Sequence, residues 1–248
     1  MSTTSTSPTL TAYLSKAHIS PEVFTLRPDY RALLIAVSGL SAGGPSDNFS
    51  ESHLQEAETS ARKHLAPGQS VNDIPHVAAW REAYKAFGAK PNKHRNSLEA
   101  LTRRITADGN SGLPRINCLT DIYNAICVKW QIPLGGEDLG KYAGAPFLKR
   151  ADGSEKFEVS EKGERKVENA DKGEVVWCDD EGVTCRRWNW RQGPRTALDE
   201  KTEKVLFICD ALEPMSDEDL ERVGDELVDA LRKISPELEV ARRTIRME

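Results

Sequence analysis

Two polar segments hold the residues whose types and spacing could do chemistry. The first is Ile116-Asn117-Cys118-Leu119-Thr120-Asp121-Ile122-Tyr123-Asn124, in which Asn117, Asp121 and Asn124 stand four and three residues apart. On a helix this spacing puts them along one face. Two amides and a carboxylate together can read an amino group, a ribose hydroxyl or a carboxylate. The same residues also suit a helix start, with Asn117 or Thr120 as the cap and Asp121 at the positive end of the helix dipole. The second segment, Cys185 to Gln192, packs two tryptophans, three arginines and an asparagine into eight residues. On a strand, Arg187, Asn189 and Arg191 would share one face, a donor surface suited to carboxylates or phosphates. Arg186, Trp188 and Trp190 would share the other face, and a cation–π stack closing a sheet explains the same pattern.

Two weaker signals accompany these. Leu134-Gly135-Gly136-Glu137-Asp138 combines glycines that let backbone approach a ligand with carboxylates that could include a general base; it reads equally as a turn. Lys90-Pro91-Asn92-Lys93-His94-Arg95, with Arg103 and Arg104 beyond it, is a basic stretch whose cations suit phosphates and whose His94 suits proton transfer. A solvated basic surface is the alternative. No GxGxxG, Walker, HExxH or CxxC sequence is present. A hydrolase built from this chain would therefore work by positioning water and stabilising an oxyanion. The five histidines show no metal-ligand spacing, and neither a metal nor an organic cofactor is expected.

The elements that must position these residues follow from periodicity. Tyr30–Leu40 and Lys204–Asp210 are apolar runs that read as buried strands. Helices are expected over Glu51–Leu65 with a cap at Ser50 or Asp47, around Ile74, Val77, Trp80 and Tyr84 up to Gly88, over Ser97–Thr106, and over Thr120–Lys129. Ser216–Ile234 is the clearest helix, with Leu220, Val223, Leu227, Val228 and Leu231 as its apolar stripe. Glu174–Trp190 reads as two strands joined at Asp179–Gly182. Ala151–Gly173 is charged and punctuated by glycine, and is expected to be a hairpin or a loop. The fold class is α+β, a compact single domain with mixed or antiparallel sheets flanked by helices around a central pocket. Residues 1–20 are expected to be a flexible lead-in and residues 21–240 the domain, with a charged insert at about 151–173.

The 248 residues are 38% hydrophobic and 29% charged, enough for a core that is stable without staples. A net charge of −5 argues against generic nucleic-acid coating but leaves room for a local basic patch. Five cysteines without a CxxC pair suggest buried, reduced thiols, although Cys178 and Cys185 flank a turn and could face each other. No apolar run approaches the roughly 20 residues that span a bilayer, and the Ser/Thr-rich start has the core of no signal peptide. A cytoplasmic protein without membrane or DNA partners is expected.

Phe87–Arg104, Leu113–Val128, Ile132–Leu139 and Gly182–Leu212 occur in an order that resembles the free-standing relatives of the tRNA-binding and editing region of the bacterial phenylalanyl-tRNA synthetase beta subunit, formed by its third and fourth domains (B3/B4). The resemblance covers about the central two thirds of the chain. It implies an α+β domain whose pocket accepts a wrongly charged aminoacyl end of tRNA and lets water cleave the ester. It implies Asn117, Asp121, Asn124, Glu137, Arg187, Asn189 and Arg191 as pocket residues. Asn117 and Asn189 would orient the ester, and Arg187 or Arg191 would meet the 3′-terminal phosphate or the oxyanion. Glu137 or Asp121 would bind the substrate amino group or position water, and His94 would add to the substrate contacts. The expected partner is tRNA or an aminoacyl-tRNA 3′ end, or a small amino-acid-like ligand. A binding module without turnover and a small-molecule enzyme on the same fold are the alternatives.

Overall fold

A computed structural model describes residues 7–41, 44–65, 68–106, 112–161 and 163–248. Its helices are α1 (Pro8–Leu14), α2 (Pro21–Leu26), α3 (Asn48–His64), α4 (Pro75–Ala86), α5 (Ser97–Thr106), α6 (Cys118–Lys129) and α7 (Asp217–Ile234). Its strands are β1 (His18–Ile19), β2 (Arg31–Ser38), β3 (Leu134–Asp138), β4 (Phe147–Arg150), β5 (Lys156–Glu161), β6 (Glu164–Asn169), β7 (Val175–Cys178), β8 (Val183–Arg186), β9 (Arg191–Gln192), β10 (Lys204–Ala211) and β11 (Glu239–Arg246). The class is α+β, as expected.

The frame is a four-stranded antiparallel sheet in the order β11-β2-β10-β3. Its two central strands, β2 and β10, are apolar on both faces because both faces are covered. Side chains alternate along β10. Val205, Phe207 and Cys209 join Leu33, Ile35 and Val37 of β2 in a core with α6 and α7. Leu206 and Ile208 join Ala32, Leu34 and Ala36 in a second core with α4 and the other sheet. That second sheet runs β1-β4-β7-β8-β9, with β1 parallel to β4 and every other pairing antiparallel. The main sheet is thus the middle layer between helices and a smaller sheet.

Two expectations change. From Ser7 to Ser20, the lead-in segment is folded: α1 lays Leu10 and Leu14 into the second core, and β1 pairs with β4. Polar composition around two leucines at helical spacing hid this anchor; residues 1–6 lie outside the described residues. Leu134–Asp138 is not a turn but edge strand β3, paired with β10 from Cys209↔Leu134 to Val205↔Asp138. Its glycines serve close approach: a Cβ at Gly136 would stand 3.0 Å from the Phe207 ring. Within the charged insert, β5 and β6 form a two-stranded hairpin.

Candidate functional site

A cavity of about 120 Å³ opens where edge strand β3, the β8–β9 turn and α6 converge. Strand register explains its floor. Glu137 pairs with Leu206 and Gly135 with Ile208, so these four residues and Asp210 project from one face of the main sheet. Gly135 leaves that face bare, and the Gln192 side chain from β9 lies over it, 2.6 Å from where a Cβ would stand. Tyr123 and Asn124 arrive from α6, and Trp177, Cys185, Trp188, Asn189, Trp190 and Arg191 from the second sheet.

The β8–β9 turn has the most unusual backbone here. Strand β8 ends at Arg186, and Arg187 and Trp188 then take left-handed conformations with φ of 48° and 66°. Each costs roughly 1–2 kcal/mol for a residue with a Cβ. The surroundings hold the turn: Arg187 N–H donates to Glu174 Oε1 at 2.8 Å and Trp188 N–H to Val175 O at 2.6 Å. Ser97 N–H donates to Asn189 O at 3.0 Å, tying in the start of α5. This conformation breaks the expected alternation. Arg186 turns to Glu174, pairing through Nε at 2.9 Å and Nη2 at 2.6 Å. Arg187 reaches Asp171 at 2.9 Å and lies over the Trp190 ring, 4.4 Å from its centre. Trp188 drops into the core between Tyr30 and Trp80. Asn189 alone of the turn's polar side chains enters the cavity.

Two buried carboxyls face this space. Glu137 is held by the Tyr142 hydroxyl and by Thr196, whose hydroxyl donates at 3.0 Å; burial raises its pKa against these bonds. Asp210 accepts from the Tyr30 hydroxyl at 2.5 Å, and burial pushes its pKa up to about 7. No cation pairs with either among the described residues. Trp177 Nε1 and Asn189 Nδ2 face the Asp210 carboxyl and favour its charge, and Trp188 Nε1 faces the Tyr30 hydroxyl, all three outside ideal hydrogen-bond geometry.

The expected site residues therefore divide. Asn124, Glu137, Asn189 and Arg191 line the cavity. Arg187 and His94 flank it through Trp190, whose ring packs edge-on against His94 with centroids 4.9 Å apart. Burial, and then the charge of Arg187, lowers the His94 pKa. Asn117 and Asp121 lie outside the lining. Asn117 caps α6, its Oδ1 accepting from Thr120 N–H at 2.8 Å, and Asp121 is fully buried, accepting from Ile116 N–H at 2.8 Å and from Ser46 at 2.5 Å. Their acceptors are spent on the chain itself. Asp210 was missed in the sequence because it ends an apolar strand; a lone carboxylate closing the run Lys204–Cys209 was the available signal. Cys178 and Cys185 do not face each other, since Cys185 pairs with Trp177, and all five thiols are free and buried.

Arg191 lines the cavity and is exposed, and Lys90 and Lys93 are exposed on the loop before α5; none of the three forms an ion pair among the described residues. No described helix is long and apolar enough to cross a membrane.

A family model described as the B3/4 domain matches residues 79–234, well over half of the chain. The chain belongs to the B3/4 domain family. The B3/4 match runs from α4 to the end of α7 and takes in every residue that lines the cavity. Among solved structures, the chain is similar to an N-terminal fragment of the phenylalanyl-tRNA synthetase beta-subunit from Pyrococcus horikoshii, at 12% sequence identity and a TM-score of 0.45. The similarity covers 93% of this chain and 54% of that one, so this chain spans about half the length of that fragment. No curated protein matches the sequence.

Proposed function

We propose that this B3/4 domain receives the aminoacyl 3′ end of a tRNA in the cavity and hydrolyses its ester. The observation that carries this reading is a cavity that holds two buried carboxyls without an ion pair and the exposed Arg191, with Lys90 and Lys93 exposed on the loop before α5. The acids suit the α-ammonium group of an aminoacyl ester, and Arg191, Lys90 and Lys93 suit the phosphates that follow it. Family membership supports the same substrate class through the motif order that resembles the editing region of the synthetase beta subunit. In the step itself, water attacks the ester carbonyl carbon, the carbon–oxygen bond to the ribose breaks, and the ribose oxygen takes up a proton. Glu137 holds the ammonium group, and the Asn189 amide orients the substrate.

A second reading, binding without turnover, has its own support. Glu137 is already engaged by Tyr142 and Thr196, and burial raises the Cys185 thiol well above its ordinary pKa. Neither of these two lining groups is thus an activated nucleophile. The decisive experiment is deacylation of a panel of mischarged tRNAs by the wild type, Glu137→Gln and Asn189→Ala. Rapid loss of a charged species, slowed at least about tenfold in both variants, is expected. Binding of the panel without any loss of ester would establish the second reading.

A further inference from the structure

Two arginines at the β8–β9 turn share three carboxylates of very different standing. Glu174 is buried, its side chain 2% exposed, and it accepts from Arg186 Nε and Nη2 and from Arg187 N–H. Asp171 sits on the turn between β6 and β7 with its side chain 74% exposed, yet it accepts from Arg187 Nη2 at 2.9 Å and from Arg186 Nη2 at 3.3 Å. Glu168 on β6 is also exposed and stands 3.4 Å from Arg186 Nη1. Arg187, its side chain 10% exposed, is set in place without Asp171. Its left-handed backbone is held by Glu174, and its guanidinium lies over Trp190, a residue of the cavity lining. A guanidinium stacked in this way is pre-organised to meet an oxyanion with its N–H edge.

The Asp171 contact is the replaceable one. Its backbone N–H donates to Glu174 Oε2 at 3.1 Å, so the carboxylate can leave by side-chain rotation while the turn stays where it is. An exposed ion pair contributes little and is screened by salt. With Asp171 and Glu168 turned to water, the two guanidiniums keep one buried anion, Glu174, and a positive charge is left for an incoming group. A phosphodiester carries the same charge as a carboxylate and, like it, offers two oxygens to a guanidinium fork. We propose that Asp171 stands in for a phosphate of the tRNA 3′ end, which displaces it and binds Arg187 beside the cavity. Asp171 then has two effects: it neutralises the turn in the unliganded chain, and it competes with the incoming phosphate. This rests on the aminoacyl-tRNA reading given above and adds to it the group that the substrate must displace.

The test is calorimetric titration of the intact chain at low salt with two probes, the trinucleotide cytidylyl-cytidylyl-adenosine and adenosine, which has no phosphate. Asp171→Asn keeps the size of the side chain and removes its charge. It is expected to bind the trinucleotide about three- to tenfold more tightly than the wild type, with adenosine unchanged. In an Arg187→Ala background the same substitution should change trinucleotide affinity by less than about twofold. Near-ultraviolet circular dichroism checks that each variant keeps native packing. Unchanged or weaker trinucleotide binding in folded Asp171→Asn, an equal gain for adenosine, or a gain that survives Arg187→Ala would overturn the exchange and leave the aminoacyl reading standing. Failure of the trinucleotide to bind either chain would overturn the exchange too. If the mischarged panel then neither binds nor loses its ester, the aminoacyl reading falls with it.

Discussion

The start of α6 and the β8–β9 turn look alike as sequence, since each sets amides and charges among apolar residues. Their hydrogen bonds separate them. At the helix start, Asn117 and Asp121 give their acceptors to Thr120 N–H, Ile116 N–H and Ser46. At the turn, Arg186 and Arg187 are consumed by Glu174 and Asp171, whereas Asn189 accepts from the Tyr84 hydroxyl and turns its amide nitrogen to Asp210 beside the cavity. One region uses polar atoms to finish the fold, and the other gathers some around a buried carboxyl at a cavity. Convergence of polar atoms on a buried acid beside a cavity, not polarity, distinguishes a site from a cap.

That contrast breaks most visibly at Asp210. Its folded pKa of about 7 lies above its unfolded value, so the native state binds the extra proton between about pH 4 and 7, and stability falls as pH rises through that window. At about 1.4 kcal/mol per unit, the loss between pH 4.5 and 8 approaches about 3 kcal/mol. His76 slopes the other way. Burial lowers its pKa to about 4, with Nδ1 donating to Gln131 O at 2.7 Å and Nε2 accepting from Leu212 N–H at 3.0 Å. Its contribution is lost as pH falls from about 6.5 toward 4. Urea unfolding across pH should therefore show Asp210→Asn gaining on the wild type as pH rises, with the His76 slope exposed. A pH-independent gap would mean that Asp210 is not held protonated by the fold.

The helix start gives smaller effects of the opposite kind. Asp121→Ala leaves the Ser46 hydroxyl and Ile116 N–H without their buried acceptor and should cost about 2–3 kcal/mol in urea unfolding, with trinucleotide affinity unchanged. Asn117→Ala removes a cap and should cost about 1 kcal/mol; slowed deacylation at full stability would return Asn117 to the site. Smallest in stability is Arg191→Ala, expected within about 0.5 kcal/mol of wild type. Its readout is tRNA affinity, which should weaken while the slope of log K against log salt falls by about 1.

Much of the frame was legible because it obeys simple periods. β2, β10 and α7 announce themselves as apolar runs or a stripe, and Asp47, Gly88 and Asn117 mark helix ends. β11 was not recognised because Arg242, Arg243 and Arg246 interrupt its apolar pattern; on an edge strand such charges reach solvent or, like Arg243, the carbonyls of Leu14 and Ala17. The cavity was half legible. Asn189 and Glu137 stood out by type, whereas Asp210 depends on strand register and Gly135 on what lies across from it. The left-handed pair Arg187–Trp188 has no sequence signature, since neither residue favours that conformation, and it redirected the whole arginine–tryptophan pattern.

Strand β10 carries two instructions on one stretch of eight residues. Its odd positions, Val205, Phe207 and Cys209, speak to the helical core, and its even positions, Leu206, Ile208 and Asp210, speak to the cavity side. A mutational library confined to the odd set would explore folding robustness, while one confined to the even set would explore appetite for different guests. Because the two sets share one backbone, drift in either is felt by the other, so a lineage changing its guest through this strand would have to move in matched pairs of substitutions.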